Sequence, residues 1–527
     1  MSQPERQYRD MAKTASWTMV SRVLGLVRDQ TVAAVFGSGP VGAAFLFGFQ
    51  IPNLFRRLLG EGALTAAVVP VLAEKTARDG APAAHEFLNH TLRRVAPRML
   101  LITTAVSGAA LAFSFFADDP RHAVAAELTA LCMPYMPLIC LAALFTSAVN
   151  LAGRFGLAEI ASGLLNLCMI AALGLGGLMF AETDLGRARW LCVGALAGGL
   201  LQLLVPMWGL RSVGWRLGPG RADEPAWSVL KAAFIPAALG AGVQQVNFLI
   251  SRALAFNVES GGLTYYYIAN RIVELPIGLF SASVATVMFP ALASAWAARE
   301  FRRLSEDYAR GFRLILAVNI GAAVGLAVLA EPVVRLLFEF GRFTEEDCRN
   351  TRVILVLFSF TMPFHALMSL VTRALNVAGE TRATFHAALH AMAVNVAGSL
   401  IAVVAGYGVE GLAVANGVST VWQYAVLRMR LKALAPQFLE GSFAGALSKS
   451  CVGSLVMGAL AYNGHRILQG PCMEALGGKG GLIASILLPG LVAMAVYAFI
   501  LDLWGYPERD MLRGFLKRIL GRFSRHP

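Results

Sequence analysis

Apolar runs of about twenty residues recur from one end of the chain to the other, and no other feature constrains its fold so tightly. They cover 14–36, 41–73 (bent), 92–116, 124–152, 158–180, 188–210, 229–256, 264–296, 312–338, 352–376, 384–406, 410–430, 443–468 and 480–505. Backbone polar groups cannot be left unpaired in lipid, so such runs must be helices or barrel strands. Their length and their Leu and Ala content favour helices, because barrel strands are about half as long and alternate in polarity. The expected fold is an all-α polytopic membrane protein with about 14 transmembrane helices. Only 15% of residues are charged, against about 25% in soluble domains, and mean hydropathy is +0.62. A soluble multidomain enzyme is excluded.

The net charge of +13 would suggest nucleic acid in a soluble protein. Here it reads as topology. With the N-terminus in the cytoplasm and the spans alternating, cytoplasmic segments hold about 30 Lys/Arg and the opposite loops about 8. The cytoplasmic set includes Lys75, Arg78, Arg93, Arg94 and Arg98, then Arg299, Arg302, Arg303, Arg310 and Arg313. The segment 508–527 is a basic amphipathic tail with Arg509, Arg513, Lys517, Arg518, Arg522 and Arg525, suited to anionic membrane lipid rather than nucleic acid. Both termini are therefore expected in the cytoplasm. The first run follows Arg6, Arg9 and Lys13 but carries Arg22 and Arg28 and has no convincing cleavage site, so it is not expected to be a signal peptide.

The seven cysteines form no CxxC pair. Cys132, Cys140, Cys168, Cys192 and Cys451 fall in apolar stretches, as small buried residues do. Cys348 and Cys472 lie in predicted loops on one side, where a disulfide is conceivable.

An internal repeat is visible. Ala44 to Ala73 reads AFLFGFQIPNLFRRLLGEGALTAAVVPVLA, and Thr264 to Ala293 reads TYYYIANRIVELPIGLFSASVATVMFPALA. Aromatics open both, a polar cluster follows, and both end in Pro-x-Leu-Ala, at Pro70 and Pro290. Two homologous helical bundles are implied, an arrangement in which transporters place a substrate path.

Seven arginines fall inside the expected spans: Arg22, Arg28, Arg56, Arg57, Arg252, Arg271 and Arg335. Arg252 and Arg335 lie near span ends and can snorkel. The other five are deeper. Facing lipid they would cost roughly 12–17 kcal/mol together, comparable to a whole folding stability of ~5–15 kcal/mol. The expected escape is a water-filled cavity or internal pairing. Spacing of seven aligns Ser21 with Arg28 and Arg22 with Asp29 on the first helix. Arg57 and Glu61 are i,i+4, beside Pro52, Asn53, Gly60 and Gly62, which permit a bend. Asn270 and Arg271 precede Glu274 at i,i+3 from Arg271. Asp29, Glu61 and Glu274 do not neutralise five arginines. All the deep cations are Arg, whose planar guanidinium binds phosphate or carboxylate through paired hydrogen bonds. A lumen with surplus arginine suits a large anion such as a pyrophosphate and poorly suits organic cations.

Gln244, Gln245 and Asn247 in the seventh span fit either helix packing or lumen contact. His365, His386, His390 and Asn395 are polar positions in later spans. His386 and His390 are i,i+4, but no acid or third ligand accompanies them, so no metal is expected. No Walker motif, nucleophile elbow or HExxH occurs. No cofactor and no ATP-driven transport by this chain alone are expected.

At these residues the chain resembles the MurJ/MviN family of lipid II flippases, within the superfamily of multidrug, oligosaccharidyl-lipid and polysaccharide exporters. The resemblance is carried by SRVLGLVRDQTVAAVFGSG (21–39), FQIPNLFRRLLGEGALTAAVVPVLAE (49–74) and YYIANRIVELPIGLFSASVATVMFPALA (266–293), with GRFT (341–344) and RALNVAGETR (373–382) in support. It implies a V-shaped pair of six-helix lobes related by pseudo-twofold symmetry around a cationic cavity, with two further helices making a groove for a lipid tail. Mapped onto this chain, these are residues 1–220, 221–435 and 436–507. By residue matching, Arg22, Arg28, Arg56 and Arg271 correspond to family cavity arginines, with Ser21, Asp29, Asn53, Arg57, Glu61, Asn270 and Glu274 in the same motifs. The implied substrate is lipid II, the undecaprenyl-pyrophosphate-linked disaccharide-pentapeptide of peptidoglycan synthesis. It would move from the cytoplasmic to the outer leaflet of the bacterial inner membrane, towards the cell-wall synthesis machinery.

The chain departs from the family in places. Ala43, between Gly42 and Ala44, stands where many members carry an acid; Asn270 stands where an acid commonly precedes the arginine; and the seventh span has no evident match to sodium-binding acids. Coupling to membrane potential or a monovalent cation is left open. The nearest alternative is a flippase for another polyprenyl-pyrophosphate-linked glycan, of O-antigen or exopolysaccharide type, which would lack these signature segments. A cation-coupled drug antiporter would want a net acidic lumen. A membrane-embedded polymerase or glycosyltransferase would need carboxylates in a sizeable external loop, and a passive scaffold would gain nothing from deep arginines.

Overall fold

A computed structural model describes residues 3–154, 156–220, 223–278, 282–443 and 445–508, excepting the side chains of 3–15, 59–62, 236 and 282–287. The described residues form helices and connecting turns and contain no strand. The basic tail beyond Glu508, and the side chain of Glu61, lie outside the described residues.

The chain divides into two compact units. The first runs to Thr264 and adds the short segment Phe340–Phe343. It opens with α1 (Gln3–Phe36) and α2 (Pro40–Phe55). Pro40 stands at the start of α2, where its missing N–H costs nothing. The chain then passes through a π-helical stretch, Arg56–Leu64, into α3 (Thr65–Phe116). Where Pro52, Gly60 and Gly62 permit a bend, the backbone takes this wider helical turn and does not break. Within α3, Gly80 adopts φ 84°, so the long element is two helices joined at a kink. Next come α4 (Pro120–Cys132) and α5 (Tyr135–Leu151), parted by Met133 and Pro134. α6 (Leu157–Ala171) continues through a π-helical Ala172–Gly177 into the short α7 (Leu178–Phe180). α8 (Asp184–Arg211) and α9 (Glu224–Val258) complete the unit. Side-chain caps start several of these: Asp119 accepts from the Arg121 N–H at 2.8 Å, and Thr183 from Gly186 at 3.1 Å. The core joins Leu64, Val68, Leu88, Met133, Leu144, Phe145, Trp215 and Trp227. α9 packs on α2, α3 and the π-helical turn, so the seventh span sits with the first unit although the sequence-based lobe boundary precedes it.

The second unit holds α10 (Gly262–Pro276) from Tyr265 onward, α11 (Ala282–Ala297), α12 (Phe301–Val328), α13 (Ala330–Phe338), α14 (Glu345–Val377), α15 (Thr381–Val404), α16 (Gly408–Leu434), α17 (Ala446–Leu476) and α18 (Gly478–Leu503). Thr344 and Asp347 form a capping box at the start of α14. The core gathers Leu304, Tyr308, Leu370, Val371, Leu431, Phe438 and Tyr506, with Tyr497 of α18 donating to the Ala317 carbonyl at 2.8 Å. α17 and α18 pack on each other along their lengths and reach the rest of the unit chiefly through α12.

Among the described residues, nine helices are long and apolar enough to cross a membrane, counting α4 with α5 and α6 with α7 as single spans. Large apolar side chains lie open on the outer surfaces of both units, as at Phe116 (82% exposed) and Val404 (89% exposed). Water would penalise such a surface, whereas hydrocarbon does not. All seven cysteines are free. Cys348, at the start of α14, and Cys472, in α17, are both free thiols, so the disulfide that the sequence left conceivable is not formed.

Segment 340–343 is held to the first unit by its backbone. The Arg342 N–H donates to the Ala34 carbonyl at 2.8 Å, and its guanidinium reaches both Asp184 oxygens at 2.8 Å. Gly341 has φ 57°, and a Cβ there would collide with the Ala34 carbonyl. Gly341→Ala should therefore lower the midpoint of thermal unfolding in detergent, at a cost above ~1 kcal/mol. An unchanged midpoint would show that this backbone contact contributes little.

Candidate functional site

The first unit contains a cavity of about 650 Å³ whose walls come from α1, the π-helical turn, α3, α5, α6 and α8. Arg22 of α1 and Arg56 of the π-helical turn both line it. Arg56 opens the π-helical stretch with α-helical dihedrals, its N–H still bonded to the Pro52 carbonyl, so it continues the register of α2. Hydroxyls surround the two guanidinium groups: Thr18 and Ser21 from α1, Thr65 from α3, Thr146 and Ser147 from α5, and Ser162 from α6. Asn150 and Gln202 supply amides. Among the described residues of the lining, Arg22 and Arg56 are the cations and Glu159 is the carboxylate. Hydroxyls and amides can bind an anion or water without adding charge.

Arg28 is placed differently. Six residues beyond Arg22 on α1, it is partly buried, with its side chain 14% exposed, and its partner Asp29 is only 3% exposed. Arg28 Nη2 donates to Asp29 Oδ1 at 2.6 Å and Nε at 3.1 Å, while Nη1 donates to Asn166 Oδ1 of α6 at 2.9 Å. Asn166 is oriented in turn by donating to the Ser21 and Ser162 carbonyls. The sequence aligned Asp29 with Arg22; the structure pairs it with Arg28. Seven residues span about 10 Å along a helix, too far for a direct ion pair, and the long Arg28 side chain folds onto its neighbour instead.

Other expected positions fall as follows. Asn53 donates its amide to the Phe49 carbonyl of the preceding turn at 2.9 Å. Arg57 is half-buried, and its expected pairing with Glu61 lies outside the described residues. Arg252 does not snorkel. It is 7% exposed, donates to Gln50 of α2, and lies over the Phe248 ring at 5.6 Å, because α9 packs on α2 at that level. In the second unit, Asn270 donates to Glu274 Oε1 at 2.9 Å, and Arg271 pairs with Glu274 Oε2 at 3.7 Å, the i,i+3 pair expected. Both side chains of that ion pair stay partly open, at 30% and 40%. Arg335 sits among Glu331, Glu339 and Glu345.

Sequence reasoning did not single out Glu159, Gln202, Asn166 or Gln50. Each is a lone polar residue in an apolar run, and that isolation was the available signal. Among the described residues no group of His, Cys, Asp and Glu could hold a metal ion.

Residues 32–474 match a family described as lipid II flippase MurJ. The chain is 31% identical to a probable lipid II flippase MurJ of Rhizobium tropici, covering 95% of each sequence. It is 30% identical to one of Haemophilus influenzae, covering 84% of this chain and 90% of the relative. The fold matches a solved lipid II flippase MurJ in an inward closed conformation with a TM-score of 0.76 at 22% identity, covering 95% of this chain and 99% of that one. It also matches an inward-facing multidrug resistance MATE family transporter of the MOP superfamily, with a TM-score of 0.64 at 16% identity over 81% of this chain.

Removing the counter-charge from Arg28 leaves a buried cation. Asp29→Asn should therefore cost about 3 kcal/mol or more, read as a lower unfolding midpoint in detergent. An Arg22→Ala variant, which relieves crowding of like charge in an open cavity, should unfold near the wild-type temperature.

Proposed function

The chain belongs to the lipid II flippase MurJ family, and from that membership we propose that its flipping of lipid II works by alternating access of a cationic cavity to the two faces of the membrane. It is a multi-pass transporter of the inner membrane with lipid II as its substrate. The observation that carries the proposal is the cavity that Arg22 and Arg56 share, walled otherwise by hydroxyls and amides and, among its described residues, by the carboxylate of Glu159.

In this reading the guanidinium groups hold the pyrophosphate through paired, charge-assisted hydrogen bonds. The surrounding hydroxyls and amides take the place of water around the sugar and peptide. Arg28, locked by Asp29 and Asn166, stiffens α1 against α6 behind Arg22. Arg271, with Asn270 and Glu274, is the partly open cationic position of the second unit. The chain itself performs no bond-breaking chemistry. Its substrate binds, the cavity closes to one side, and it opens to the other.

The polyprenyl tail would never leave an apolar medium. A groove of about 390 Å³ along α12, α17 and α18, lined by residues such as Ala322, Leu326, Met457, Ile486 and Leu491, suits it. Both termini would lie in the cytoplasm, a placement that the lysine and arginine distribution supports. An empty cationic cavity also responds to membrane potential, at ~2.3 kcal/mol per charge per 100 mV, which would help reset it. Enzymes of cell-wall synthesis would take the product on the outer face.

The test is complementation of a strain depleted of its own lipid II flippase. Arg22→Ala, Arg28→Ala, Arg56→Ala and Arg271→Ala, each at normal protein level, should fail to support growth. Arg56→Lys should recover only part of the activity, because an ammonium is a point charge without the planar fork. Full growth with the alanine variants would overturn the proposal.

A further inference from the structure

The second unit contains a second cavity, of about 810 Å³, formed by the adjoining ends of α12, α13, α14, α17 and α18. It differs from the tail groove in character. Arg335, Arg352, Arg466 and Lys479 line it, against the carboxylates Glu331 and Glu339.

The acids are already engaged. Glu339 pairs with Arg335 at 2.9 Å, and Glu331 pairs with Arg352 at 2.6 Å. Lys479, at the start of α18, donates to the carbonyls of Arg335 and Glu339 at 2.9 and 3.0 Å, closing the end of α13 while keeping its charge. Arg466 has no carboxylate within ion-pair distance among the described residues and lies over the Tyr462 ring at 5.8 Å. The cavity thus presents two positive charges beyond its own acids, one of them on an exposed guanidinium.

Its position relative to the tail groove gives the charge a purpose. The two are lined by successive residues of the same helices: Val328 faces the charged cavity and Leu329 the groove, Pro332 the cavity and Val333 the groove. On α17, His465 lies one turn beyond Ala461, and on α18 Leu482 lies one turn before Ile486. An apolar channel ending in a cationic chamber matches an amphiphile with a phosphate head. On the topology proposed above, this end faces the outer leaflet.

We propose that this cavity is a binding site for the phosphate of a lipid whose chain lies in the adjoining groove. The shared chemistry is an anionic phosphate on an apolar chain, carried either by a resident phospholipid or by a polyprenyl pyrophosphate. The site is separate from the Arg22 and Arg56 cavity, and its existence does not depend on the translocation reading.

The full chain, purified in detergent, is titrated with phosphatidylglycerol, phosphatidylcholine, undecaprenyl pyrophosphate or inorganic phosphate, and bound lipid is counted by native mass spectrometry. At least one of the two anionic lipids should be retained over phosphatidylcholine, and Arg466→Glu should weaken its binding about tenfold, as expected for loss of a charge-assisted hydrogen bond. The lipid that shows this dependence identifies the source. Arg22→Ala serves as the control for polyprenyl pyrophosphate held in the first unit's cavity. If Arg466→Glu unfolds early, Arg466→Gln, which removes the charge and leaves a shorter side chain ending in a polar amide, makes the same test. Equal retention of phosphatidylcholine, anionic-lipid binding unchanged by either Arg466 variant, or binding of inorganic phosphate alone would overturn the proposal.

Discussion

A guanidinium group keeps its charge at any accessible pH, and inside a membrane that charge must be hydrated, paired or coordinated. Much of this protein's internal construction follows from that requirement. On α1 alone it is met in two ways. Arg28 is enclosed, with Asp29 beside it and Asn166 bonded to its free nitrogen. Arg22, less than two turns away, opens into a cavity walled by hydroxyls and amides. The first arrangement makes a rigid helix contact, and the second makes a place for an anion. The same residue type is structural in one case and available in the other, and its neighbours decide which.

The two units apply this rule with different partners. Arg252 is buried against Gln50 and an aromatic face, which joins α9 to α2. Arg271 and Glu274 form a looser pair one turn apart on α10, partly open to solvent. Arg335 is surrounded by three carboxylates from α13, the following loop and α14. Among the described residues, the linings of both cavities hold more arginine and lysine than aspartate and glutamate. A protein that handles phosphate-bearing lipids needs this kind of surplus, because the substrate supplies the missing counter-charge.

Much of this was legible in the residues. The spans showed in hydropathy because the bilayer imposes a length and a composition. The bend after Pro52 showed because proline and paired glycines have few uses inside a helix. The Arg271 and Glu274 pair showed because i,i+3 neighbours share a helix face. Contacts between helices distant in sequence did not show. Asn166 bonds Arg28 across 138 positions, and Gln50 bonds Arg252 across 202. No local pattern encodes such distances. Arg252 was misread as a snorkelling residue for that reason: its place near a span end is local information, whereas its burial comes from a helix that folds back from elsewhere.

The sequence by itself determined that the chain is a helical membrane protein, that its deep charges are arginines in excess of acids, and that its signature segments are those of a lipid II flippase family. Periodicity, hydropathy and charge type are properties of neighbouring residues, so they survive without coordinates. Only the tertiary structure decided which arginines share a cavity, which are closed off by a partner, and where a second cationic chamber adjoins an apolar groove. Those outcomes depend on which helices pack together and on the rotation of each about its axis, and a one-residue shift in helical phase turns a side chain by about 100°.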